Sequence, residues 1–510
     1  MTKQATIAKD AQIPFHNQVD YCVGTGRMGL ALQKEYQEQL ALVQKEIGFS
    51  YIRGHGLFNE DMAIYQEYKD PSGNLIPEYN FTYLDLVMDS YLELNIRPFL
   101  ELGFMPKKMA SGEQAIFYWR GNVTPPKSYD AWAKLVQATL KHLMERYGAD
   151  EVTTWPIEVW NEPNLPGFWK GADMQEYFKL FDVTFHAIKE VDTRFRVGGP
   201  AICGVMDELW IRSFMEYCQS NKIPVDFVTR HHYTTELPKH VGHYGYPKIN
   251  NPEVGFANLL TTREIIDSFP EYKGLEIHIT EFSTSYIPNC PLHDTNQNAA
   301  YIAHQLSRLG DVNESYSYWT FGDIFEEIGV PFTPFHGGFG MVANGCIPKP
   351  TFWTFAFYKK LKGTCVFKSE DAVIVRKDDN TYCGIAWNNA DDLDLSFELP
   401  IPDSASAPSA SARGEYVLIQ KIVEEDTCNP RKLWHDMGEP SDLSKEQKAL
   451  LQDCARPLVT SQRLTATNEK IHIELKVGKY GVHYFELKPI CKGGDNGYDY
   501  DYDYLTDYQA

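Results

Sequence analysis

Short apolar segments alternate with longer amphipathic segments from about residue 48 to residue 362. Runs of apolar, β-branched and aromatic residues predict buried strands, whereas apolar residues three or four positions apart predict helices that cover a sheet. Strand-like runs occur in eight segments: 49–56, 62–68, 96–104, 156–164, 195–201, 226–233, 275–283 and 314–323.

Helical periodicity fills most of the intervals between these strands. The predicted helices are 81–94, 129–147, 174–191, 208–220, 259–269, 295–309 and 351–361, with one more at about 26–46 before the first strand. Alternation of strands and helices predicts a parallel sheet, and eight units in about 310 residues have the size of a closed (β/α)8 barrel. No GxGxxG motif follows a strand, so a dinucleotide-binding sheet has no support. The linker 57–61 is too short for a helix, which leaves the first of these units incomplete.

The pattern changes after residue 362, where most segments alternate apolar and polar residues. This alternation predicts a β-sandwich over 363–492, with one helix inserted at 443–455. Residues 1–15 are predicted to add a strand to the sandwich, and residues 16–362 to form the barrel. Residues 495–510 contain five Asp and five Tyr in near alternation, and residues 493–510 are predicted to be a disordered or interaction tail. The predicted fold class is therefore α/β, a (β/α)8 TIM barrel with an accessory β-sandwich domain.

Composition narrows the class of protein and its surroundings. Hydrophobic residues make up 43% of the chain and charged residues 23%, as in ordinary soluble domains. The net charge of −21 disfavours nucleic acid as a partner, because a phosphate backbone needs a basic surface. The chain has no run of about 18 apolar residues and no apolar signal region, which predicts no membrane association. The ten cysteines include no CxxC pair, so we expect free thiols, no metal site and a cytoplasmic protein.

Aromatic residues are abundant, with 31 Tyr, 28 Phe and 10 Trp. Most of them are expected to pack in hydrophobic cores. Flat rings also stack on the apolar C–H faces of sugars, so the composition is compatible with a carbohydrate substrate.

Two glutamates lie at the ends of apolar strands. Glu162 ends the fourth predicted strand, PIEVWNEPN, and Glu281 ends the seventh, LEIHITEFS. Catalytic groups of a (β/α)8 barrel lie at the carboxyl ends of its strands. Glycoside hydrolysis needs two carboxyl groups, one to protonate the leaving oxygen and one to attack the anomeric carbon or activate water. The placement therefore predicts a glycosidase, and a separation of about 5–5.5 Å would make it retaining.

Both glutamates also have a structural interpretation, because a glutamate at a strand end can cap the next helix or form an ion pair inside the barrel. The tetrapeptide WNEP favours the catalytic interpretation of Glu162. An asparagine directly before the acid can bind the sugar hydroxyl beside the reacting carbon, and the following proline ends the strand.

The segment WPIEVWNEPN resembles the signature of glycoside hydrolase family 39, in clan A. Further segments resemble the family in the same order: VGTGRMGLALQKEYQEQL, YIRGHG, NFTYLDLVMDSYLELNIRPFLELGFMP, DFVTRHHYT, ITEFSTSY, YWTFGDIFEE and FHGGFGM. GEYVLIQKIVEE in the predicted sandwich is similar to the family's β-xylosidases, so the resemblance covers nearly the whole chain. It implies a barrel with acid/base and nucleophile on strands four and seven, and retaining hydrolysis through a covalent glycosyl-enzyme.

The resemblance implies roles for the residues around the pair. Glu162 would be the acid/base, Glu281 the nucleophile, and Asn161 the ligand of the sugar 2-hydroxyl. His55 would line the −1 sugar subsite, and its alternative role is that of a buried core histidine. Arg53 lies two residues earlier on the same strand face and would help keep Glu281 ionised; its alternative role is a structural ion pair.

Strand six and strand eight would complete the −1 subsite. Tyr233 would hydrogen-bond the nucleophile, and His231 would contact the acid/base region or the sugar. His232 faces the other side of the strand and is expected to pack there. Trp319 would form the aromatic floor of the subsite, with a buried structural tryptophan as the alternative.

Loop residues would reach the sugar from the rim. Glu326 or Glu327, with Glu326 preferred, would hydrogen-bond distal hydroxyls of the −1 sugar, unless both are solvated loop charges. Phe117, Trp119 and Phe168 would stack on the +1 sugar or aglycone, unless they merely pack on their loops.

The chain departs from the family pattern at two positions. Phe282 stands after the nucleophile where the family pattern has Trp, and Thr229 stands where it has Ser. Neither change removes a reacting group, but the phenylalanine bears on the shape of the −1 pocket.

The run STSYIPNCPLHDT resembles the family's β-xylosidases. The expected activity is release of β-D-xylose from the non-reducing ends of xylo-oligosaccharides, without a cofactor. Alternatives are an α-L-iduronidase-like enzyme, a β-glycosidase or arabinosidase of broad specificity, and a non-catalytic carbohydrate-binding barrel. A metal-dependent hydrolase is a further class, hinted at by the spacing around His231. A homo-oligomer is compatible with the sequence.

Overall fold

The computed structural model describes residues 2–379, 381–401 and 414–490. Eight parallel strands close into a barrel in chain order, and the last strand pairs with the first. They are β1 Cys22–Arg27, β2 Tyr51–His55, β3 Arg97–Leu102, β4 Ile157–Val159, β5 Val197–Ile202, β6 Phe227–Tyr233, β7 Glu276–Ser283 and β8 Ser315–Tyr318. The predicted (β/α)8 TIM barrel is confirmed.

Helices surround the barrel and bury their apolar stripes against it. They are α1 Lys34–Glu46, α2 Thr82–Glu93, α3 Tyr129–Tyr147, α4 Met174–Val191, α5 Asp207–Asn221, α6 Pro252–Asp267, α7 Asn296–Arg308 and α8 Pro350–Tyr358. In α3, for example, Trp132, Leu135 and Leu140 are fully buried, and the hydroxyl of Ser128 caps the helix by accepting the backbone N–H of Ala131.

The predicted start of the barrel needs two corrections. The segment 22–27 is β1, although no strand was predicted there and the predicted helix began at about residue 26. The segment 62–68 is not a barrel strand, because Tyr65–Lys69 pairs antiparallel with Leu75–Tyr79 in a hairpin after β2. β1 contains two glycines and few apolar residues, so its sequence does not resemble a buried strand. At Gly24 a Cβ would collide with the ring of Trp319. The two errors offset each other, so Glu162 and Glu281 still follow the fourth and seventh strands.

Two further sheets lie in the C-terminal part of the chain. One has six strands from Thr364–Lys368 to Val482–Pro489, and the other joins Leu393–Pro400 with Lys470–Val477 and the N-terminal strand Thr2–Thr6. Apolar residues of both sheets share one hydrophobic core, as in a β-sandwich.

The predicted helix at 443–455 corresponds to Lys445–Cys454, and a second helix, Pro430–Asp436, precedes it. The tail 493–510 and the predicted loop 404–412 lie outside the described residues. The domain boundaries at residues 15, 362 and 492 stay a prediction. Within the described residues, no helix is long and apolar enough to cross a membrane.

Candidate active site

Glu162 and Glu281 meet at the carboxyl end of the barrel. The backbone N–H of Glu162 donates to the carbonyl of Ala201 on β5, at 2.8 Å, which fixes the segment that follows β4. One carboxylate oxygen of Glu162 and one of Glu281 lie within 4.8 Å of each other. This separation matches the spacing of retaining glycosidases and is shorter than that of inverting ones, which need about 6.5–9.5 Å.

A β-bulge in β7 aims the second glutamate. Ile279 pairs with Arg230 on β6 and Glu281 pairs with His231, so Thr280 is an extra residue between them. Because of the bulge, the neighbours Thr280 and Glu281 both face the barrel interior, where simple alternation would place one of them.

Glu281 is surrounded by donors. Nη1 of Arg53 donates to its Oε1 at 2.6 Å, and the hydroxyl of Tyr233 donates to its Oε2 at 2.7 Å. Nε2 of His55 lies 3.5 Å from Oε1. The cation contacts one carboxylate oxygen and the hydroxyl the other. Both stabilise the ionised form of Glu281, which is the form that can act as a nucleophile.

Glu162 has a different environment. Its Oε1 is 2.8 Å from Nδ1 of His231, and burial raises the pKa of Glu162 to about 7 against the lowering effects of His55 and Arg53. Burial lowers the pKa of His231 to about 4, so the imidazole is neutral at pH 7. A carboxyl group with a pKa near 7 is suited to give and take a proton during turnover.

Arg53 joins the pair to the interior of the barrel. Its side chain is fully buried and forms ion pairs with Glu101 at 2.9 Å and Glu158 at 2.6 Å, besides that with Glu281. Its Nη2 also donates to Oδ1 of Asn161 at 2.9 Å. This bond fixes the amide of Asn161 and leaves its NH2 group for another acceptor, as a residue that binds a sugar hydroxyl requires.

His55 and Trp319 form one side of the pocket. The two rings are 4.7 Å apart, and Trp319 lies above Gly24 of β1 with the guanidinium of Arg53 5.8 Å from its ring centre. The geometry is compatible with an aromatic floor beside the two carboxyl groups.

Phe117, Trp119 and Phe168 form a half-buried aromatic wall on the loops after β3 and β4. Phe117 lies 5.3 Å from Trp119 and 5.4 Å from Phe168, and it stacks on His55 at 6.1 Å. The wall therefore continues directly from the side of the pocket that His55 forms.

The two rim glutamates have different partners, and the choice between them as a ligand of the sugar stays a prediction. Glu326 forms an ion pair with Arg27 at 2.6 Å. Burial, and then the charges of Glu281 and Glu162, raise the pKa of Glu327 well above its ordinary value. Its carbonyl also accepts the backbone N–H of Tyr118, at 2.7 Å, which ties it to the aromatic wall.

Phe282, which departs from the family pattern, packs away from the two carboxyl groups. Its ring is fully buried against Tyr316, Tyr318 and Phe355, on the outer side of the barrel. Thr229, the other departure, is buried and accepts the backbone N–H of Ala201.

Sequence reasoning missed three interior polar residues: Glu101 on β3, Glu158 on β4 and Thr280 on β7. The hydroxyl of Thr280 donates to Glu158 at 2.8 Å, and Glu101 contacts His55 and Arg53. A signal existed, because RPFLELGF and PIEVWNEP each place a glutamate inside an otherwise apolar strand. Buried charges of this kind are rare unless they are paired.

Glu162, His231 and Glu281 are also close enough to hold a metal ion, since one atom of each lies within 4.8 Å of the others. The guanidinium of Arg53, 2.6 Å from Glu281, would repel a second cation at this position. The donor set therefore suits two carboxyl groups that act on a neutral sugar better than it suits a metal.

The profile of the family described as glycosyl hydrolases family 39 matches residues 4–471. The chain belongs to this family. A β-xylosidase of Geobacillus stearothermophilus is 46% identical over 495 residues, 96% of this chain and 96% of that protein. A β-xylosidase of Caldicellulosiruptor saccharolyticus is 36% identical over 84% of this chain and 86% of that protein. The structure of a monomeric β-xylosidase from Caulobacter crescentus CB15 superposes with a TM-score of 0.84 at 31% identity, covering 96% of this chain and 100% of that one. This family 39 chain is a glycoside hydrolase, as the resemblance implied.

Proposed function

We propose that this family 39 enzyme releases β-D-xylose from the non-reducing ends of xylo-oligosaccharides by a retaining mechanism. The observation that carries the proposal is the pair of carboxyl groups within 4.8 Å of each other, one held by Arg53 and Tyr233 and the other by a neutral histidine. Relatives that match along most of the chain are described as β-xylosidases, which supports xylose as the sugar.

In the first step, Glu281 attacks the anomeric carbon and Glu162 gives its proton to the leaving oxygen. Loss of the negative charge on Glu281 in the glycosyl-enzyme removes one anion from the buried cluster. In the second step, Glu162 takes a proton from water, which attacks the anomeric carbon from the face that the leaving group left. The bond to Glu281 breaks, and the product is released with its configuration retained.

The other side chains hold the sugar in this scheme. Asn161 would donate to the 2-hydroxyl, and His55 and Glu327 would bind further hydroxyls of the −1 sugar. Trp319 would form the floor below the ring. Phe117 and its neighbours in the aromatic wall would stack on the +1 sugar or the aglycone.

Product stereochemistry tests the mechanism. Proton NMR during hydrolysis of an aryl β-xyloside should show the β-anomer of xylose first, followed by slow mutarotation. Release of the α-anomer first would contradict the retaining proposal.

A panel of aryl glycosides tests the sugar. We expect the β-xyloside to be turned over with the highest kcat/KM, ahead of the α-L-arabinoside, the β-galactoside and the α-L-iduronide. A faster rate on the iduronide would favour the iduronidase alternative, and full activity after dialysis against a chelator is expected for a metal-free mechanism.

The proposal also covers the cellular compartment and the oligomeric state of the enzyme. Nine cysteines lie among the described residues and all are free thiols, which supports a reducing, cytoplasmic setting. The oligomeric state stays a prediction, and light scattering of the purified protein would distinguish a monomer from a homo-oligomer.

A further inference from the structure

Glu101 is a buried carboxyl group that the proposed reaction does not use. Its Oε2 lies 2.6 Å from Nδ1 of His55 and 2.9 Å from Nη2 of Arg53. Its Oε1 is buried and has no hydrogen-bond partner among the described residues. The side chain is therefore placed directly behind a residue that faces the sugar.

Arg53 supplies too little positive charge for its carboxyl neighbours. It forms ion pairs with Glu101, Glu158 and Glu281, and these side chains are 0–6% exposed. Ionised carboxyl groups that share one cation in a dry interior repel each other, so one of them tends to keep its proton.

The supply of hydrogen bonds singles out Glu101 as that group. Each of the other two carboxyl groups accepts a side-chain hydroxyl, one from Thr280 and one from Tyr233. Among the described residues, His55 is the side chain that hydrogen-bonds Glu101, and Arg53 adds only an ion pair. Burial accordingly raises the pKa of Glu101 to about 8, against the lowering effect of Arg53.

The proton on Glu101 determines which nitrogen of His55 carries hydrogen. Burial lowers the pKa of His55 to about 4, so the neutral ring has one N–H. A protonated Glu101 donates to Nδ1 and leaves the hydrogen on Nε2, which lies 3.5 Å from Oε1 of Glu281 on the sugar side. An ionised Glu101 would accept Nδ1–H instead and leave a bare lone pair on Nε2.

We infer that Glu101 is a positioning residue that keeps a proton and donates it to Nδ1 of His55, so that His55 presents Nε2–H to the bound sugar and to Glu281. The inference rests on the proposed function, because it assigns His55 to the sugar subsite. Loss of the proton from Glu101 reverses the ring tautomer and removes the donor without any movement of the chain.

Five titratable or charged side chains surround this carboxyl group: Arg53, His55, Glu158, Glu162 and Glu281. The pKa of Glu327, which Glu281 and Glu162 raise, belongs to the same group of interacting charges. Between pH 6 and 9.5 the pKa values near 7 for Glu162 and near 8 for Glu101 fall inside the range, and those of His55 and Arg53 do not. The contribution of Glu162 is removed by 2,4-dinitrophenyl β-D-xyloside, because dinitrophenolate leaves without a proton.

The test is therefore kcat/KM for this substrate as a function of pH. For the wild-type enzyme we expect a fall of about five- to tenfold as pH rises through about 8, the size expected for loss of one hydrogen bond to the sugar. The fall should then level off, because the ionised enzyme still has both reacting groups.

Glu101→Gln should remove this transition. An amide oxygen accepts from Arg53 and from Nδ1–H of His55 at one atom, but unlike a hydroxyl it cannot also donate there, so the variant keeps the unproductive tautomer. Its kcat/KM should be low and flat, and should meet the wild-type curve above pH 9. Glu145→Gln, an exposed change on α3, is the matched control and should follow the wild-type curve.

The outcomes separate the two levels of the argument. A constant ratio between wild type and Glu101→Gln at every pH would show a merely structural role and overturn the inference. Failure of the wild-type enzyme to hydrolyse the xyloside would contradict the proposed function instead. In that event the ring ¹⁵N shifts of His55, assigned by comparison with His55→Gln, decide the inference: Nε2–H at pH 6 supports it, and Nδ1–H overturns it.

Discussion

Glu162 and Glu281 lie within 4.8 Å of each other, yet their surroundings are opposite in character. Glu281 receives hydrogen bonds from the guanidinium of Arg53 and the hydroxyl of Tyr233, which stabilise a negative charge. Glu162 has a neutral imidazole from His231 as its partner, and burial raises its pKa to about 7. In the proposed mechanism, this difference gives two roles to the same type of residue, through donors and burial rather than through distance.

The largest expected effect is on the side of the nucleophile. Glu281→Ala should lower kcat by at least about 10⁴-fold, because no group remains to attack the anomeric carbon. Azide should restore turnover and yield α-xylosyl azide, which NMR identifies. Wild-type rates in this variant, or a β-azide product, would reverse the assignment of roles.

Glu162→Ala should have a smaller effect that depends on the leaving group. With a phenyl β-xyloside, kcat/KM should fall by about 10²–10⁴-fold, the usual contribution of general acid catalysis. With the dinitrophenyl xyloside, kcat/KM should change little, because the leaving group needs no proton. Equal losses with both substrates would show that Glu162 is not the acid.

Tyr233→Phe tests the donors that distinguish Glu281. Removal of one hydrogen bond to a charged group costs about 1.5–3 kcal/mol, so we expect kcat/KM to fall by about ten- to hundredfold. The matched change Tyr68→Phe, on the exposed hairpin, should leave kcat/KM unchanged. A Tyr233→Phe variant as active as wild type would mean that Arg53 alone stabilises the carboxylate of Glu281 and that the Tyr233 hydroxyl is not needed.

The pH profile tests the raised pKa of Glu162. The acid must be protonated, so kcat/KM for a phenyl xyloside should fall about tenfold per pH unit above pH 7. The direction of this pH dependence follows from burial, which disfavours the charged carboxylate of Glu162 and keeps its proton bound to higher pH. A kcat/KM that already begins to fall near pH 5 would contradict the assignment of Glu162 as the acid.

The smallest expected effect separates the two rim glutamates. Glu327→Gln should raise KM about threefold to tenfold by weakening one hydrogen bond to the sugar. Glu326→Gln should change KM less than about twofold, because its partner is Arg27 outside the pair. The reverse order in steady-state kinetics would favour Glu326 as the ligand of the sugar.

Prediction from sequence succeeded where the signal is local. WNEP and ITEF mark strand ends directly, and alternation along YIRGH places Arg53 and His55 on one face. The family resemblance added the partners of the pair, among them Tyr233 and His231.

The remaining features depend on tertiary structure. At Gly24 of β1 the ring of Trp319 leaves no room for a Cβ, so the strand has little apolar signal. The bulge at Thr280 is set by pairing with β6 and leaves no mark in the local pattern. Glu326 and Glu327 are neighbours in sequence, and only the folded chain shows that Glu326 pairs with Arg27.

The central claim is that Glu281 forms the covalent glycosyl-enzyme. Incubation with 2,4-dinitrophenyl 2-deoxy-2-fluoro-β-D-xyloside should trap this intermediate, because the fluorine slows its hydrolysis. Peptide mass spectrometry should then find one fluoroxylosyl group, attached to Glu281. A label on Glu162 or another residue, or turnover of xylosides with no trapped label, would contradict the account.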